Sequence, residues 1–423
     1  FVYWSPDSKH FILDRTDSRK VKDMWVINSA TAGRPTLETY KYQLPGEAEG
    51  PRDEFVLFNF PNKTYKILNT AAFKDQTMSV WGAPSLVKDR DNEFRPSVWL
   101  GNNSKIYFNR TSRDLKRIDV CTIDINTGTV TPLIDERFNT YVEINRPALI
   151  SDGKEIIHWS ERDGWAHFYL FDGNGKLKNQ ITKGSFHCES IVNVDEKNRV
   201  LYFTANGREG KEDPYYLHLY RINFDGTGMQ LLNSGDFDHQ ISMNDEARFF
   251  VNNFSKVNTV PKTVLMDNLG NKVMDLETAD LSLLMNAGYK FPEPFVVKAD
   301  DGVTDLYGVM YKPFDFDPNK KYPIIEYVYP GPQTESVNKS FGRSMDRMDR
   351  LAQFGYIVIT VGNRGGHPAR SKWYHTFGYG NLRDYGLSDK KAAIEQLADK
   401  HKFIDASKVG ITGHSGGGFM STA

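Results

Sequence analysis

The first 280 residues alternate short apolar and aromatic runs with breaks that contain Gly, Asn and Asp. Short runs rich in Tyr, Phe, Val, Ile and Thr, bounded by turn residues, are typical of antiparallel strands. The pattern therefore predicts an all-β segment from residue 1 to about residue 280.

A unit of 44 to 50 residues recurs within this segment. Equivalent strands are predicted to begin at Lys105, Glu155, Arg199 and Ala247. Each is followed by a second strand and by a tight turn that ends in Gly, and these turns lie at 126–128, 172–175, 225–228 and 267–270.

One blade of a β-propeller needs about four strands in a repeat of this length, so about five to six blades fit before residue 280. The alternative is a β-sandwich with coincidental spacing, but sandwiches lack a sustained period of this length.

After residue 281 the pattern changes to apolar runs typical of buried strands, separated by segments whose apolar residues have helical spacing. A hairpin over 295–311, turning at 300–302, comes first. It is followed by predicted strands at 322–329, 355–361 and 409–412, a helical segment within 338–354 and a helix at 387–401. Met345, Met348 and Leu351 have helical spacing in the first of these helices. Alternating strands and helices indicate a parallel α/β sheet.

Composition excludes several function classes. The chain has 53 Lys and Arg against 54 Asp and Glu, so a net charge of −1 gives no general attraction to nucleic acid or to an anionic membrane. A mean hydropathy of −0.53 and short apolar runs predict no membrane span. Cys121 and Cys188 are the only cysteines and form no Cys/His cluster, so we expect no metal or cofactor and at most one disulfide.

The last predicted strand runs into Gly413-His-Ser-Gly-Gly417, a G-x-S-x-G motif followed by Gly418. Between a strand and a helix this motif is a nucleophile elbow, in which a sharp turn lifts the serine hydroxyl above the sheet. Small residues are needed around Ser415 because side chains at the glycines would collide with neighbouring backbone. A Gly/Ser-rich C-terminal linker is the alternative, and the strand before the motif argues against it.

Four ordered segments then carry a resemblance to a known family. They are Trp159-Ser-Glu-Arg-Asp-Gly-Trp-Ala-His-Phe-Tyr169, Lys321-Tyr-Pro-Ile-Ile-Glu-Tyr-Val-Tyr-Pro-Gly-Pro332, Gly362-Asn-Arg-Gly-Gly366 and 405–418. They resemble the prolyl oligopeptidase clan of serine peptidases, in its dipeptidyl peptidase IV branch. The resemblance implies a β-propeller domain at 1–281 and an α/β-hydrolase domain at 282–423.

Carried over by position, the resemblance makes Ser415 the nucleophile, Tyr329 the hydroxyl donor of the oxyanion hole and the Gly416 N–H the second donor. Acyl transfer needs two such donors. Without the resemblance, Tyr329 could also be a buried aromatic whose hydroxyl is satisfied by backbone. The branch commonly has Tyr where this chain has Gly416, so a strict proline preference is not implied.

Four other polar residues lie in or beside the first of these segments. Glu161 and Arg162 are expected to hold strands together rather than to touch substrate, since charged residues at such positions usually satisfy loops. His158 and His167 are structural candidates of the same kind.

The catalytic set is incomplete in this sequence. In α/β-hydrolases an Asp or Glu and then a His follow the nucleophile, and a serine hydroxyl needs such a base. None of the eight residues after Ser415 is Asp, Glu or His. We expect the triad Asp and His to lie after Ala423, and the glutamates that anchor a substrate's amino terminus in the family to lie before Phe1.

The leading interpretation is a serine exopeptidase that releases dipeptides from short peptides through an acyl-enzyme. An acylaminoacyl peptidase or esterase of the same clan stays open, as does a non-catalytic propeller protein that only binds. Short peptides are the expected partners, and homodimer formation is open. Export to the periplasm or the cell exterior is favoured by the resemblance, while five glycosylation sequons, at Asn62, Asn102, Asn109, Asn253 and Asn338, add little.

Overall fold

The computed structural model describes residues 2–5, 7–81, 83–84, 96–97, 99–100, 104–331, 334–342 and 347–423. The chain divides into two compact units. One comprises Phe1–Trp159 with Leu170–Lys178, and the other Ser160–Tyr169 with Asn179–Ala423.

Antiparallel strands account for nearly all regular structure before residue 280. The first seventeen are β1 (Val2–Trp4), β2 (His10–Asp17), β3 (Asp23–Asn28), β4 (Thr36–Lys41), β5 (Arg52–Asn59), β6 (Thr64–Ile67), β7 (Thr77–Val80), β8 (Ala83–Pro84), β9 (Pro96–Ser97), β10 (Trp99–Leu100), β11 (Lys105–Thr111), β12 (Arg117–Asp124), β13 (Thr129–Arg137), β14 (Ala148–Ile150), β15 (Glu155–Ser160), β16 (His167–Asp172) and β17 (Leu177–Gln180). The next eight are β18 (His187–Asp195), β19 (Val200–Asn206), β20 (His218–Asn223), β21 (Gln230–Leu231), β22 (Asp238–Met243), β23 (Phe249–Ser255), β24 (Lys262–Asp267) and β25 (Lys272–Thr278).

In the described part of the chain most of these strands form five successive antiparallel sheets, each built on a row of four neighbouring strands. Their orders are β1-β2-β5-β6, β10-β11-β12-β13 with β7 added beside β11, β14-β15-β16-β17, β18-β19-β20-β21 and β22-β23-β24-β25. The predicted repeat is confirmed, because β11, β15, β19 and β23 are each the second strand of a sheet and begin within two residues of the predicted starts.

The four predicted Gly-ending turns all connect the third and fourth strands of a sheet. The glycines that end these turns all have a positive φ, a conformation that is strained for a residue with a side chain but not for glycine. They are Gly128, Gly175, Gly228 and Gly270. An aspartate at the start of each turn accepts the backbone N–H two residues ahead: Asp124, Asp172, Asp225 and Asp267. The repeat is therefore encoded locally, by Asx-type turn chemistry.

Two strand pairs among the described residues lie outside the five sheets, β3 with β4 and β8 with β9. The first is a hairpin between β2 and β5 in sequence. Its apolar side chains Trp25, Ile27 and Leu37 are 71%, 70% and 65% exposed.

A mixed sheet forms the C-terminal part. Its elements, after the short helix α1 (Ser282–Asn286), are β26 (Glu293–Lys298), β27 (Asp305–Tyr311), β28 (Tyr322–Val328), α2 (Arg347–Ala352), β29 (Ile357–Val361), α3 (Lys372–His375), α4 (Leu387–Lys400), β30 (Ile404–Gly413) and α5 (Gly416–Thr422). The strand order is β26-β27-β29-β28-β30, in which β28, β29 and β30 are parallel.

The predicted parallel strands and the hairpin before them are confirmed, and the structure joins them in one sheet because β27 pairs antiparallel with β29. The predicted helix at 387–401 is confirmed as α4, whose Ala393 and Leu397 pack on the sheet in one buried core. Within 338–354 the described helix covers only Arg347–Ala352, and Met345 lies outside the described residues.

Both cysteines are buried free thiols. Burial raises the pKa of Cys121 to about 12 and raises that of Cys188 further. The Cys188 thiol also donates to Thr182 Oγ1 at 3.3 Å. The disulfide left open by the sequence is therefore not formed.

Candidate active site

Ser415 occupies the turn between β30 and α5. Its backbone has φ +54° and ψ −115°, a combination that residues other than glycine rarely adopt. The turn is closed by the Gly417 N–H, which donates to the His414 carbonyl at 2.8 Å. The Ser415 side chain is exposed. The strand, strained serine and helix follow in the order that a nucleophile elbow requires.

The glycines around the serine are required by close backbone approach. A Cβ at Gly413 would overlap the Val328 carbonyl oxygen and lie 2.6 Å from Gly417 Cα. A Cβ at Gly417 would overlap the same Val328 oxygen. The elbow can therefore fold against β28 only without side chains at these two positions.

Tyr329 follows the last paired residue of the adjacent parallel strand. Val328 of β28 is opposite Gly413 of β30, so Tyr329 and Ser415 leave the same edge of the sheet. Tyr329 is half-buried, and its hydroxyl makes no hydrogen bond to any described residue. A hydroxyl without an internal partner at this edge is available to a ligand.

Gly416 is the first residue of α5. Its backbone N–H is not used in any hydrogen bond within the described part of the chain. A Cβ at Gly416 would lie 3.2 Å from the Pro330 carbonyl oxygen, so the loop after Tyr329 passes directly beside it. Tyr329 and the Gly416 N–H, the two oxyanion donors predicted from the sequence, thus lie on either side of Pro330.

The loop after Tyr329 is held by a residue that the sequence did not single out. Glu335 is buried, and its Oε1 lies 2.7 Å from the Tyr374 hydroxyl. That hydroxyl also lies 2.9 Å from the carbonyl oxygen of Asn363. The sequence pointed to Glu335 only indirectly, through Asn363, which belongs to the Gly362–Gly366 segment that carries the resemblance.

A second buried set ties α4 to the sheet edge. Asp389 accepts three contacts from the Arg364 guanidinium, at 2.8, 3.1 and 3.2 Å, and one from the Arg364 backbone N–H at 2.9 Å. Hydrogen bonding to Asp389 raises the pKa of Arg364. Next to it, Lys390 donates to the Val361 carbonyl and lies 3.3 Å from Glu326 of β28. Burial raises the pKa of Glu326 to about 7.

Glu161 and Arg162 have structural partners. Glu161 is buried and accepts a hydrogen bond from Lys372 Nζ at 2.7 Å. Arg162 Nε donates to Ser160 Oγ at 3.1 Å, and its guanidinium lies 4.9 Å from the centre of the Tyr169 ring.

The two predicted structural histidines are also internally bonded. His158 Nε2 lies 2.9 Å from Glu136 Oε1, and the His158 ring is fully buried. His167 contacts Thr182 Oγ1 at 3.1 Å and the Gly184 carbonyl at 2.9 Å. Burial lowers the pKa of His167.

No histidine is hydrogen-bonded to Ser415 among the residues that the structure describes. His414 is its neighbour in sequence, and its side chain is exposed. The described residues therefore place an exposed serine in a strained turn beside the strand of Tyr329, and they bring no base to it. In the described part of the chain no helix is long and apolar enough to cross a membrane.

Comparisons with known proteins agree with this geometry. The family described as the dipeptidyl peptidase IV N-terminal region matches residues 1–261, and the prolyl oligopeptidase family matches residues 343–423. Dipeptidyl peptidase 8 of Mus musculus is 30% identical over 382 residues, which are 80% of this chain and 42% of that protein. A dipeptidyl-aminopeptidase B of Ajellomyces dermatitidis is 28% identical, over 99% of this chain and 47% of that protein.

A solved structure shows the same fold. Dipeptidyl peptidase 4 of Porphyromonas gingivalis has a TM-score of 0.81 at 21% identity, and the likeness covers 100% of this chain and 57% of that one. The chain spans less than half the length of the curated relatives named here. The strained serine, the flanking donors and the two family matches together place this chain in the prolyl oligopeptidase family, in its dipeptidyl peptidase IV branch.

Proposed function

We propose that this protein is a serine exopeptidase that removes dipeptides from the amino termini of short peptides. The observation that carries the proposal is Ser415, exposed in a strained turn whose strand runs beside that of Tyr329. The relatives named above are dipeptidyl peptidases and a dipeptidyl-aminopeptidase, which supports that product length.

In the proposed reaction Ser415 Oγ attacks the scissile carbonyl carbon while a general base removes the hydroxyl proton. The carbonyl oxygen becomes an oxyanion, and the Tyr329 hydroxyl and the Gly416 N–H donate to it. Collapse expels the amine, which takes up the proton, and leaves an acyl-enzyme. Water then adds to the acyl carbon by the same route and releases the dipeptide and the free serine.

The proposed reaction needs a triad base and its acid, and the described residues bring no base to Ser415. Each histidine with a described partner is bonded elsewhere, as for His218 with Glu212 at 2.6 Å. A serine hydroxyl without a base is a poor nucleophile, so the chemistry requires one.

The fold fits this function if the five antiparallel sheets are blades of a β-propeller and the mixed sheet is the leading part of an α/β-hydrolase domain. The proposed boundary between 281 and 282 lies after β25, the last strand of the fifth sheet, and at the start of α1. Propellers stack small sheets around a channel, which would restrict access to short peptides.

Substrate preference at the residue before the scissile bond is proposed to be broad. Gly416 leaves no aromatic wall beside the serine, and proline is held best where its ring packs on such a wall.

A panel of p-nitroanilides tests the function. Dipeptidyl p-nitroanilides should be cleaved, and their N-acetylated forms should not be. Ser415→Ala should abolish turnover with substrate binding retained, whereas Ser407→Ala, an exposed serine on the same strand, should not change it. Preferred cleavage of acetylated substrates or of p-nitrophenyl acetate would favour an acylaminoacyl peptidase or esterase. Binding without Ser415-dependent turnover would favour a non-catalytic propeller protein.

Two further aspects are proposals. Export to the periplasm or cell exterior would appear as activity in that fraction. Of the five sequons, Asn102 lies outside the described residues, and the amides of Asn109 and Asn338 already contact Thr111 and Tyr311. Homodimer formation is favoured by the exposed apolar side chains of the β3–β4 hairpin, and light scattering of Trp25→Ser would test it.

A further inference from the structure

Glu335 is a buried acid on the loop that carries Tyr329. It lies six residues after Tyr329 and is 4% exposed. Its Oε1 has two hydroxyl neighbours, Tyr374 at 2.7 Å and Tyr215 at 3.2 Å. The carboxyl also fills space that only glycine leaves open, since a Cβ at Gly362 would lie 2.9 Å from Oε1.

Three cations act on Glu335, and each has another contact. Lys339 pairs with Asp213 at 2.8 Å and Lys390 with Glu326 at 3.3 Å. Arg370 donates to the Asp305 carbonyl at 3.0 Å, and its guanidinium lies 4.2 Å from the centre of the Tyr374 ring. Within the described part of the chain Glu335 makes no ion pair. An isolated buried carboxylate is costly, and such a group usually takes up a proton instead.

The number of protons available at the Tyr374 hydroxyl also favours a protonated Glu335. The Tyr374 hydroxyl has one proton and faces two oxygens, Glu335 Oε1 and the carbonyl of Asn363. If Glu335 is ionised, one of the two acceptors is left facing lone pairs. If Glu335 is protonated, the acid donates to Tyr374 and Tyr374 donates to Asn363, so each of these two contacts has one donor and one acceptor, and Tyr215 can still donate to the acid.

We propose that Glu335 is held as a neutral carboxylic acid, and that the relay from Glu335 through Tyr374 to Asn363 fixes the loop that presents the Tyr329 hydroxyl to the oxyanion. The inference rests on the proposed function. Neither Glu335 nor Tyr374 touches a reacting atom, so both are positioning residues. The loop is then tied at both ends, by the pairing of Val328 in β28 and by Glu335.

The charges around the relay have opposing effects. Burial raises the pKa of Glu335, while the Tyr374 hydrogen bond and the charges of Lys339, Lys390 and Arg370 lower it. Burial also raises the pKa values of Tyr215 and Tyr374, so both phenols keep their protons. Because the pKa of Glu335 is raised, its neutral form persists at low pH and is lost as the pH rises through that pKa. Turnover should therefore fall as the pH rises through that pKa.

Four variants of the active protein test the relay, with kcat and KM measured on a dipeptidyl p-nitroanilide across the whole pH range in which the enzyme stays folded. Glu335→Ala and Tyr374→Phe should lower kcat about 10-fold with KM nearly unchanged, because small displacements of a donor are costly in the transition state. Glu335→Gln should keep the kcat that the enzyme has below the Glu335 pKa, since its amide donates to Tyr374 as the acid does, and should lose the decline as the pH rises through that pKa. The matched control is Tyr322→Phe, which removes one hydrogen bond, from the Asp317 N–H at 2.8 Å, at the opposite end of β28.

Each outcome decides the proposal. Loss of kcat in Glu335→Gln equal to that in Glu335→Ala would show that the charge is needed and would overturn the neutral acid. A Tyr374→Phe variant indistinguishable from Tyr322→Phe, in an enzyme whose turnover depends on Ser415, would overturn the relay alone. Turnover that survives Ser415→Ala would overturn the proposed function and this role with it.

Discussion

Gly417 packs directly on the carbonyl oxygen of Val328, so closely that a Cβ at Gly417 would overlap that oxygen. The same Cβ would lie 3.4 Å from Tyr329 Cα. The turn that holds Ser415 and the strand that leads to Tyr329 are therefore fitted to one another through backbone atoms. Any added volume there must move one of the two groups that the proposed reaction uses.

Gly417→Ala should separate the elbow from β28. Overpacking of this kind costs about 1–3 kcal/mol of stability. Because the added methyl group would also displace Ser415, kcat should fall about 10²-fold. Gly418→Ala is the matched control, because its Cβ would meet only the Gly413 oxygen at an ordinary 3.5 Å. Urea denaturation and steady-state kinetics of the two variants are the measurements. Equal behaviour of the two would mean that close approach at Gly417 is unimportant.

Tyr329→Phe should lower kcat by about 10²- to 10³-fold with KM little changed, because the hydroxyl donates only to the developing oxyanion. If the hydroxyl is merely structural, the variant should instead lose about 1 kcal/mol of stability and keep its kcat. Kinetics beside a thermal melt separate the two results. A normal kcat would mean that a group other than the Tyr329 hydroxyl donates to the oxyanion beside the Gly416 N–H.

The buried pair Glu326 and Lys390 should respond unequally to truncation. Lys390→Met leaves an acid that can take up a proton, since its pKa is already raised to about 7. Glu326→Leu leaves a buried cation without its counter-charge, which costs about 3–5 kcal/mol. We expect Glu326→Leu to be the more destabilising change and the double variant to recover most of the loss. Equal single losses in urea melts would contradict this.

The same pair predicts a pH dependence of stability. The pKa of Glu326 in the folded state is raised, so its contribution is fully present below the unfolded value of about 4.5 and is lost as the pH rises through about 7. The double variant Glu326→Leu with Lys390→Met should lack this part of the slope. Unfolding free energies at pH 5 and pH 8 measure the difference between the two proteins.

Cys121 and Cys188 should be unreactive in the native protein, because both thiols are buried and their pKa values are raised. Alkylation followed by peptide mass spectrometry should label neither position until urea unfolds the chain. Rapid native labelling of Cys188 would show that its sheet opens readily.

Much of the strand pattern could be predicted because its signals are local. An aspartate, a tight turn and a glycine with positive φ recur at a fixed place in the repeat, and each can be recognised without knowledge of the rest of the chain. The elbow is also local, since Gly413, Ser415 and Gly417 lie within five consecutive residues of one turn. The predicted helix at 387–401 followed from the spacing of its apolar residues.

The tertiary structure alone decided which distant polar groups meet. Glu335 and Tyr374 are 39 residues apart, and Glu326 and Lys390 are 64 apart, so no periodicity connects them. A buried acid has no sequence signature of its own, because its protonation depends on which neighbours the fold brings within hydrogen-bond distance. For the same reason the sequence named Tyr329 and Ser415 as site residues but did not identify what holds the loop of Tyr329 in place.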